Sequence, residues 1–406
     1  MINVTIINGG RGAKPLITEL LGIEDVNLTS IVNAYDDGLS TGQIRKIFNI
    51  LGPSDIRKVQ ELMLPECDEN YNIYKSLFNY RYPLNTTREE GLSSIVNFVK
   101  NKNNQIAGTI LSEEVKVTKS IRKFLSIFIE SLEIFETANS TKLDFSDCSL
   151  MNCIYAGAIL YYDRNIEIAA KEISRLFSLK GVVLPTGIEN KKLAAVRVNG
   201  EVLFDEAEIV ELRSNVKIEK IFLIDEYINK ENFSLLSLEQ QKYFLDLSST
   251  FITISENVKT VLKNSDIIIF SAGTQHSSLY PSYISHGFAD AIADNKKAIK
   301  SLIINIGADY ETPSYKVSDY INGAMRYLSL NSTKHPEFSD FFDYAYVNNS
   351  SLKADETYVE FDQSEVDKIP VKIVNDCFED GDNPGKHSGR KVISCIISTY
   401  NDSFRD

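Results

Sequence analysis

A chain of 406 residues has room for one large domain or two of ordinary size. Its 43% hydrophobic and 24% charged residues are the mixture of a folded protein with a substantial core, so disorder along the whole length is excluded. With 43 Lys and Arg against 56 Asp and Glu, the net charge of −13 argues against nucleic-acid binding through a general basic surface.

The N-terminal segment Met1–Gly10 enters a glycine turn without a charged leader, so a secretory signal is not expected. No run of about 18 apolar residues occurs, and no membrane span is expected. The five cysteines (Cys67, Cys148, Cys153, Cys377 and Cys395) are scattered and odd in number. None lies in a C-x-x-C pair, which fits reduced structural thiols and a cytoplasmic location.

The first elements read as a β-α-β unit. Ile2 to Ile7 is a β-branched strand, and Gly9, Gly10 and Gly12 form a loop too permissive for regular structure. Pro15 suits the first turn of a helix running to Gly22. Leu28 to Ala34 reads as the second strand, followed by the loop Tyr35 to Gly42. Apolar spacing predicts a helix over Ser112 to Thr137, with Val115, Phe124 and Phe128 on its core face. A further helical stretch runs from Cys153 to Phe177, and Val182 to Pro185 is a strand. Leu203 to Ile224 reads as strand-rich after a turn at Asn199-Gly200.

A second β-α-β unit follows. Asp266 to Phe270 is an apolar strand, and Ser271 to Ser278 is a loop of small residues. A helix is predicted from about Pro281 to Lys300, then a strand from Leu302 to Ile306. The expected architecture is α/β: a Rossmann-like, mostly parallel sheet flanked by helices, in a single domain spanning 1–406. A mainly helical inserted region occupies about 60–180.

Two loops carry candidate chemistry. Gly10-x-Gly12-x-x-Pro15 departs from the dinucleotide fingerprint and lacks the ending of a P-loop, which argues against a nicotinamide dehydrogenase. Its glycines still allow backbone N–H groups to converge on a phosphate, and a helix N-terminus adds about half a positive charge. A tight turn without a ligand is the alternative. Asp36 and Asp37 are adjacent carboxylates in a glycine-rich loop. Such a pair suits a cation, since Mg²⁺ is held by one or two carboxylates plus phosphates and water. A solvated turn with a helix cap at Ser40 or Thr41 is the alternative.

The wider pattern decides between these readings. Gly9-Gly10-Arg11-Gly12, Asp36 to Gly42 and Gly52-Pro53-Ser54-Asp55-Ile56-Arg57 resemble the CofD superfamily. So do Asn152, Leu179 to Pro185, Ser271 to Ser282 and Asn305 to Thr312, in that order along the chain. That superfamily includes phospholactate transferases of deazaflavin-coenzyme assembly and YvcK-type gluconeogenesis and cell-shape factors. Two loops depart from its usual pattern. Leu39 and Thr41 interrupt the aspartate loop, and the loop before Tyr280 is longer and contains His276.

The resemblance implies a nucleotide-diphosphate or nucleotide-sugar ligand bound across the strand carboxyl ends. By position it places Gly9, Gly10, Gly12, Ser40, Arg57 and Asn152 near that ligand. Ser271, Gly273, His276, Ser277, Ser278 and Tyr280 would line a second phosphate loop. Asp36, Asp37 and Asp55 would be catalytic, with Asp36 and Asp37 holding Mg²⁺. His276 would donate to phosphate or act as an acid, near its ordinary pKa of about 6.5, or would only fix the loop. Asp380, Asp382 and His387 do not fit a calcium loop, and the resemblance puts Lys386 and His387 in a late segment closing the fold. The leading expectation is a transferase of a phosphoryl-linked group. The alternative is a non-catalytic UDP-sugar-binding regulatory factor; a homodimer is implied in either case.

Overall fold

The computed structural model describes residues 1–100, 105–106, 109–111, 116–139, 141–349 and 358–403. They form two compact units. The first comprises Met1–Asn33 and Lys191–Asp406, the second Ala34–Asn190. The expected helical region, about 60–180, falls within the second.

Six parallel strands build the first unit: β1 (Ile2–Asn8), β2 (Val26–Val32), β3 (Ile267–Phe270), β4 (Ile299–Ile303), β5 (Tyr344–Asn348) and β6 (Lys372–Asp376). They lie in the order β6-β5-β4-β3-β1-β2. Parallel pairing needs helical crossovers that cover both faces, which is why the central strand Ile267–Phe270 is a continuous apolar run. Ile267, Ile268, Ile269 and Phe270 are all fully buried. Register is set by Ile2 opposite Val26 and by Val4 opposite Ile267. Between β1 and β2, Asn8 Nδ2 donates to Ser30 Oγ at 2.6 Å. From β1 the chain moves to β2 on one side, whereas β3 lies on the other. The crevice at such a switch point is where open α/β sheets bind ligands.

An antiparallel sheet of Lys192–Arg197, Val202–Leu203, Ile218–Ile224 and Ser249–Thr250 also belongs to this unit. Its core is Ala194, Val196, Val202, Phe222, Ile224, Phe233 and Leu245. The predicted turn at Asn199-Gly200 is present, with Gly200 at φ 88°. The strand-rich stretch after it contains a helix, Glu206–Glu211, because Asp205 caps the Glu208 N–H at 3.0 Å.

The long helix expected over Pro281 to Lys300 is instead two short ones, Tyr280–Tyr283 and Phe288–Asp294, followed by β4. Gly287 sits between them at φ 81°. His286 N–H donates to the Ile252 carbonyl at 2.8 Å, and its carbonyl accepts from Ile254 N at 3.1 Å. That extended bridge is incompatible with helix at this point.

The second unit is mostly helical. Its longest helix is Lys116–Asn139, with Phe124 and Phe128 buried as expected. Positions 112–115, including Val115, lie outside the described residues. The stretch Cys153 to Phe177 is divided into Leu150–Tyr161 and Ile166–Leu176. Asp163 and Arg164 take positive φ between them, and Asn165 then caps Ile168 N at 3.1 Å. Among the described residues no helix is long and apolar enough to cross a membrane.

Candidate functional site

A cavity of about 610 Å³ opens at the switch point of the first unit. Its floor comes from three loops that each follow a strand. Gly9 to Gly12 follow β1, Ala272 to Thr274 follow β3, and Asn305 to Asp309 follow β4. A fourth wall, from Asp380 to His387, is a hairpin near the C-terminus. Arg11–Ala13 make one 3-10 turn before the helix Lys14–Leu21, whose first residues, Lys14 and Pro15, face the cavity. Lys14, Lys386 and Arg11 are among the cavity's lining residues, beside the acidic Asp309 and Asp380, and the helix start adds partial positive charge.

The two central loops are locked together. A Cβ on Gly9 would lie 2.1 Å from Ser278 Cβ, so only glycine permits this approach. Thr274 Oγ1 and Ser278 Oγ are 2.6 Å apart. Asn305 clamps Gly273 in both directions, accepting from its N–H at 2.9 Å and donating to its carbonyl at 3.1 Å. The hairpin closes through His387, whose Nε2 lies 3.1 Å from the Ile304 carbonyl. Desolvation pushes the His387 pKa down to about 4, so the ring is neutral and Nε2 carries the donated hydrogen.

Of the residues proposed from sequence, Gly9, Gly12 and Gly273 line the cavity. Gly10 shapes the turn from behind at φ 93°, its N–H donating to Asn8 Oδ1 at 2.9 Å. Ser271, His276, Ser277, Ser278 and Tyr280 lie outside the lining. Ser271 Oγ donates to the Ala272 carbonyl at 2.8 Å. His276 is buried, with its ring against Tyr280, Tyr315 and Tyr327. Burial, with Arg326 adding to it, pushes the His276 pKa down to about 3. A ring that is neutral at ordinary pH is not poised as an acid, and the backbone N–H of His276, held by Glu311 at 2.9 Å, fits the loop-fixing alternative. The sequence assigns no ligand role to Lys14, Asn305 or Asp309, although the last two fall in the family segment Asn305 to Thr312. The signal was their position just past a strand or at a helix start.

Glu311 organises the second loop from beneath. Its carboxylate accepts from His276 N at 2.9 Å, from Ser277 N at 3.0 Å and from Ser277 Oγ. Burial outweighs these donors and pushes its pKa from 4.5 up to about 7, with Asp309 adding to the rise. Between those values the folded chain holds more proton at this site than the unfolded chain. The Glu311 contribution to stability is therefore fully present below the lower value and falls as pH rises through the window. His276 acts oppositely, because its depressed pKa removes stability as pH falls below about 6.5. In Glu311→Gln the alkaline loss should shrink to the part that Asp55 contributes below about pH 6, and the acid loss should remain. Urea midpoints from about pH 4.5 to 7.5 check this, and parallel pH curves for variant and parent would contradict it.

The aspartates belong to the second unit. Asp37 pairs with Arg45 at 2.9 Å, with side chains 2% and 0% exposed. Arg45 also donates to the Tyr35 carbonyl at 2.8 Å and to Asn190 Oδ1 at 3.3 Å. Asp36 Oδ1 accepts from Gly38 N at 3.0 Å. Gly52 passes so close to this loop that a Cβ there would lie 2.6 Å from the Asp36 carbonyl oxygen. The helix Ser54–Leu62, which follows directly, thereby brings Asp55 and Lys58 to the loop. Lys58 Nζ lies 2.9 Å from Asp55 Oδ1 and 3.9 Å from Asp36 Oδ2. Burial pushes the Asp55 pKa up to about 6 despite Lys58.

The carboxylates expected to hold Mg²⁺ thus face two side-chain cations, and among the described residues no group of three acidic, His or Cys side chains is arranged for a metal. Asn152 donates to Ser40 Oγ at 3.3 Å and Thr41 Oγ1 at 3.1 Å, fixing the start of the helix Leu39–Phe48. Arg57 is buried and donates to the Phe78 carbonyl at 2.7 Å, joining two helices of its own unit.

A parallel sheet whose switch point opens onto glycine loops defines an α/β protein of the Rossmann-like class. The family model described as 2-phospho-L-lactate transferase CofD matches residues 4–378, and the chain belongs to this family. The chain is 24% identical, over 98% of its length, to a protein of Clostridium acetobutylicum provisionally named a gluconeogenesis factor, covering 70% of that protein. It is 22% identical, over 97% of its length, to the gluconeogenesis factor of Halalkalibacterium halodurans, covering 95% of it. The crystal structure of a UPF0052-family protein from Bacillus halodurans has the same fold. The TM-score is 0.66 at 20% identity, over 98% of this chain and 100% of that one.

Proposed function

We propose that the chain is a regulatory protein of the gluconeogenesis-factor type that binds a nucleotide sugar in the cavity of its first unit. One observation carries this reading: a cavity at the switch point that joins two glycine loops to a helix start and two lysines. Diphosphate oxygens suit the backbone N–H groups and the Lys14 and Lys386 ammonium groups. Asn305 and Asp309 suit sugar or ribose hydroxyls. Similarity to gluconeogenesis factors along nearly the whole chain supports a role of that type.

A second reading, phosphoryl-linked transfer, is favoured by Asp309. This residue lines the cavity, and burial raises its pKa. In that reading Asp309 takes the proton of an acceptor hydroxyl as its oxygen attacks phosphorus and the nucleotide leaves. Mg²⁺ would then arrive with the donor's phosphates and neutralise the leaving oxygen.

Thermal unfolding with UDP-sugars, guanylyl-linked donors and NAD, each with and without Mg²⁺, separates the two. A ligand at about 100 times its Kd adds about 2.7 kcal/mol. The expected result is stabilisation by a UDP-sugar that is recovered intact by chromatography. Consumption of a guanylyl-linked donor with Mg²⁺ would establish transfer. No shift with any nucleotide would defeat both readings.

A further inference from the structure

The second unit gathers the carboxylates of Asp36 and Asp55 around one ammonium group. Lys58 follows Asp55 by one helical turn, so the pair at 2.9 Å is set by the helix itself. Asp36 reaches the same ammonium from the loop at 3.9 Å. All three side chains are largely buried, with exposures of 26% for Lys58, 14% for Asp36 and 10% for Asp55. Asp37 is already committed to Arg45 in a buried pair.

We propose that the Lys58 ammonium is the resident cation of this cluster and excludes a divalent ion from Asp36 and Asp55. The chemistry favours the tethered charge. Mg²⁺ gives up its water reluctantly and demands near-octahedral oxygen ligands. An ammonium on the same helix needs neither and is always at hand. Its positive charge also repels a second cation at the same carboxylates. This inference is independent of the nucleotide reading, because its test uses the metal alone.

Mn²⁺ binding to the full chain, followed by electron paramagnetic resonance, tests it. The parent should show no saturable Mn²⁺ site that Asp36→Asn or Asp55→Asn removes. Lys58→Met should gain one Mn²⁺ site at least tenfold tighter than any in the parent, and adding Asp36→Asn should abolish it. Lys58→Arg should behave like the parent. A parent Mn²⁺ site lost in Asp55→Asn would overturn the proposal, as would a folded Lys58→Met variant that takes up no Mn²⁺. If Lys58→Met fails to fold, the Lys58 Nζ resonance of the parent decides the matter. Insensitivity to Mg²⁺ supports the resident ammonium, and displacement by Mg²⁺ overturns it.

Discussion

Replacing Arg45 by methionine should destabilise the second unit by about 3–5 kcal/mol, the usual cost of leaving one partner of a buried ion pair alone. Methionine keeps much of the volume and removes the charge, so Asp37 would remain buried without its guanidinium. The Tyr35 carbonyl would lose its Arg45 donor at the same time. Asp37→Asn should also destabilise, and the double variant Asp37→Asn/Arg45→Met should lose less than the two single losses added together. Urea unfolding of the four proteins measures this cycle. An Arg45→Met midpoint close to the parent's would mean that Asp37 finds another cation, and the picture of a closed aspartate loop would fail.

The largest effect on ligand binding is expected at Gly9. A methyl group there would meet Ser278 Cβ at 2.1 Å and Ser278 Oγ at 2.5 Å, well inside contact distance. Either loop must then move, and both Gly9 and the neighbouring Ala272 to Thr274 line the cavity. Gly9→Ala should cost about 1–3 kcal/mol of stability as an overpacking substitution and at least tenfold in affinity for whichever nucleotide stabilises the parent. Adding Ser278→Gly removes the obstructing atoms and leaves its Cα at 3.4 Å from the new methyl. Most of the affinity should then return. Calorimetric titration of the two variants checks the claim; a Gly9→Ala protein that binds like the parent would show that the loops are not coupled.

Much of the fold was legible because its signals are local. Val26–Val32 is rich in β-branched residues and Ile267–Phe270 is an apolar run; both end near glycine or small-residue loops, and each is legible to within a few residues. The helix over Pro281 to Lys300 was misread because its composition is compatible with helix throughout. Its break depends on His286 bridging to Ile252 and Ile254 in a distant stretch of chain. The site was legible to a smaller degree. Gly9, Gly12 and Gly273 were readable as backbone that must come close to something. Lys14, Asn305 and Asp309 carry no such mark in isolation.

By itself, then, the sequence determined an α/β chain with glycine loops after its first and later strands, an acidic surface charge and a family pattern covering nearly its whole length. Hydrophobic period and turn chemistry are properties of neighbouring residues, so they survive without a structure. Only the tertiary structure decided where the charges go. It set Arg45 on Asp37, Lys58 between Asp36 and Asp55, and Glu311 under the loop that His276 was expected to serve. The physical reason is that a carboxylate's partner is chosen by burial and by whichever donor the packing brings within about 3 Å, and neither is written in the residues beside it.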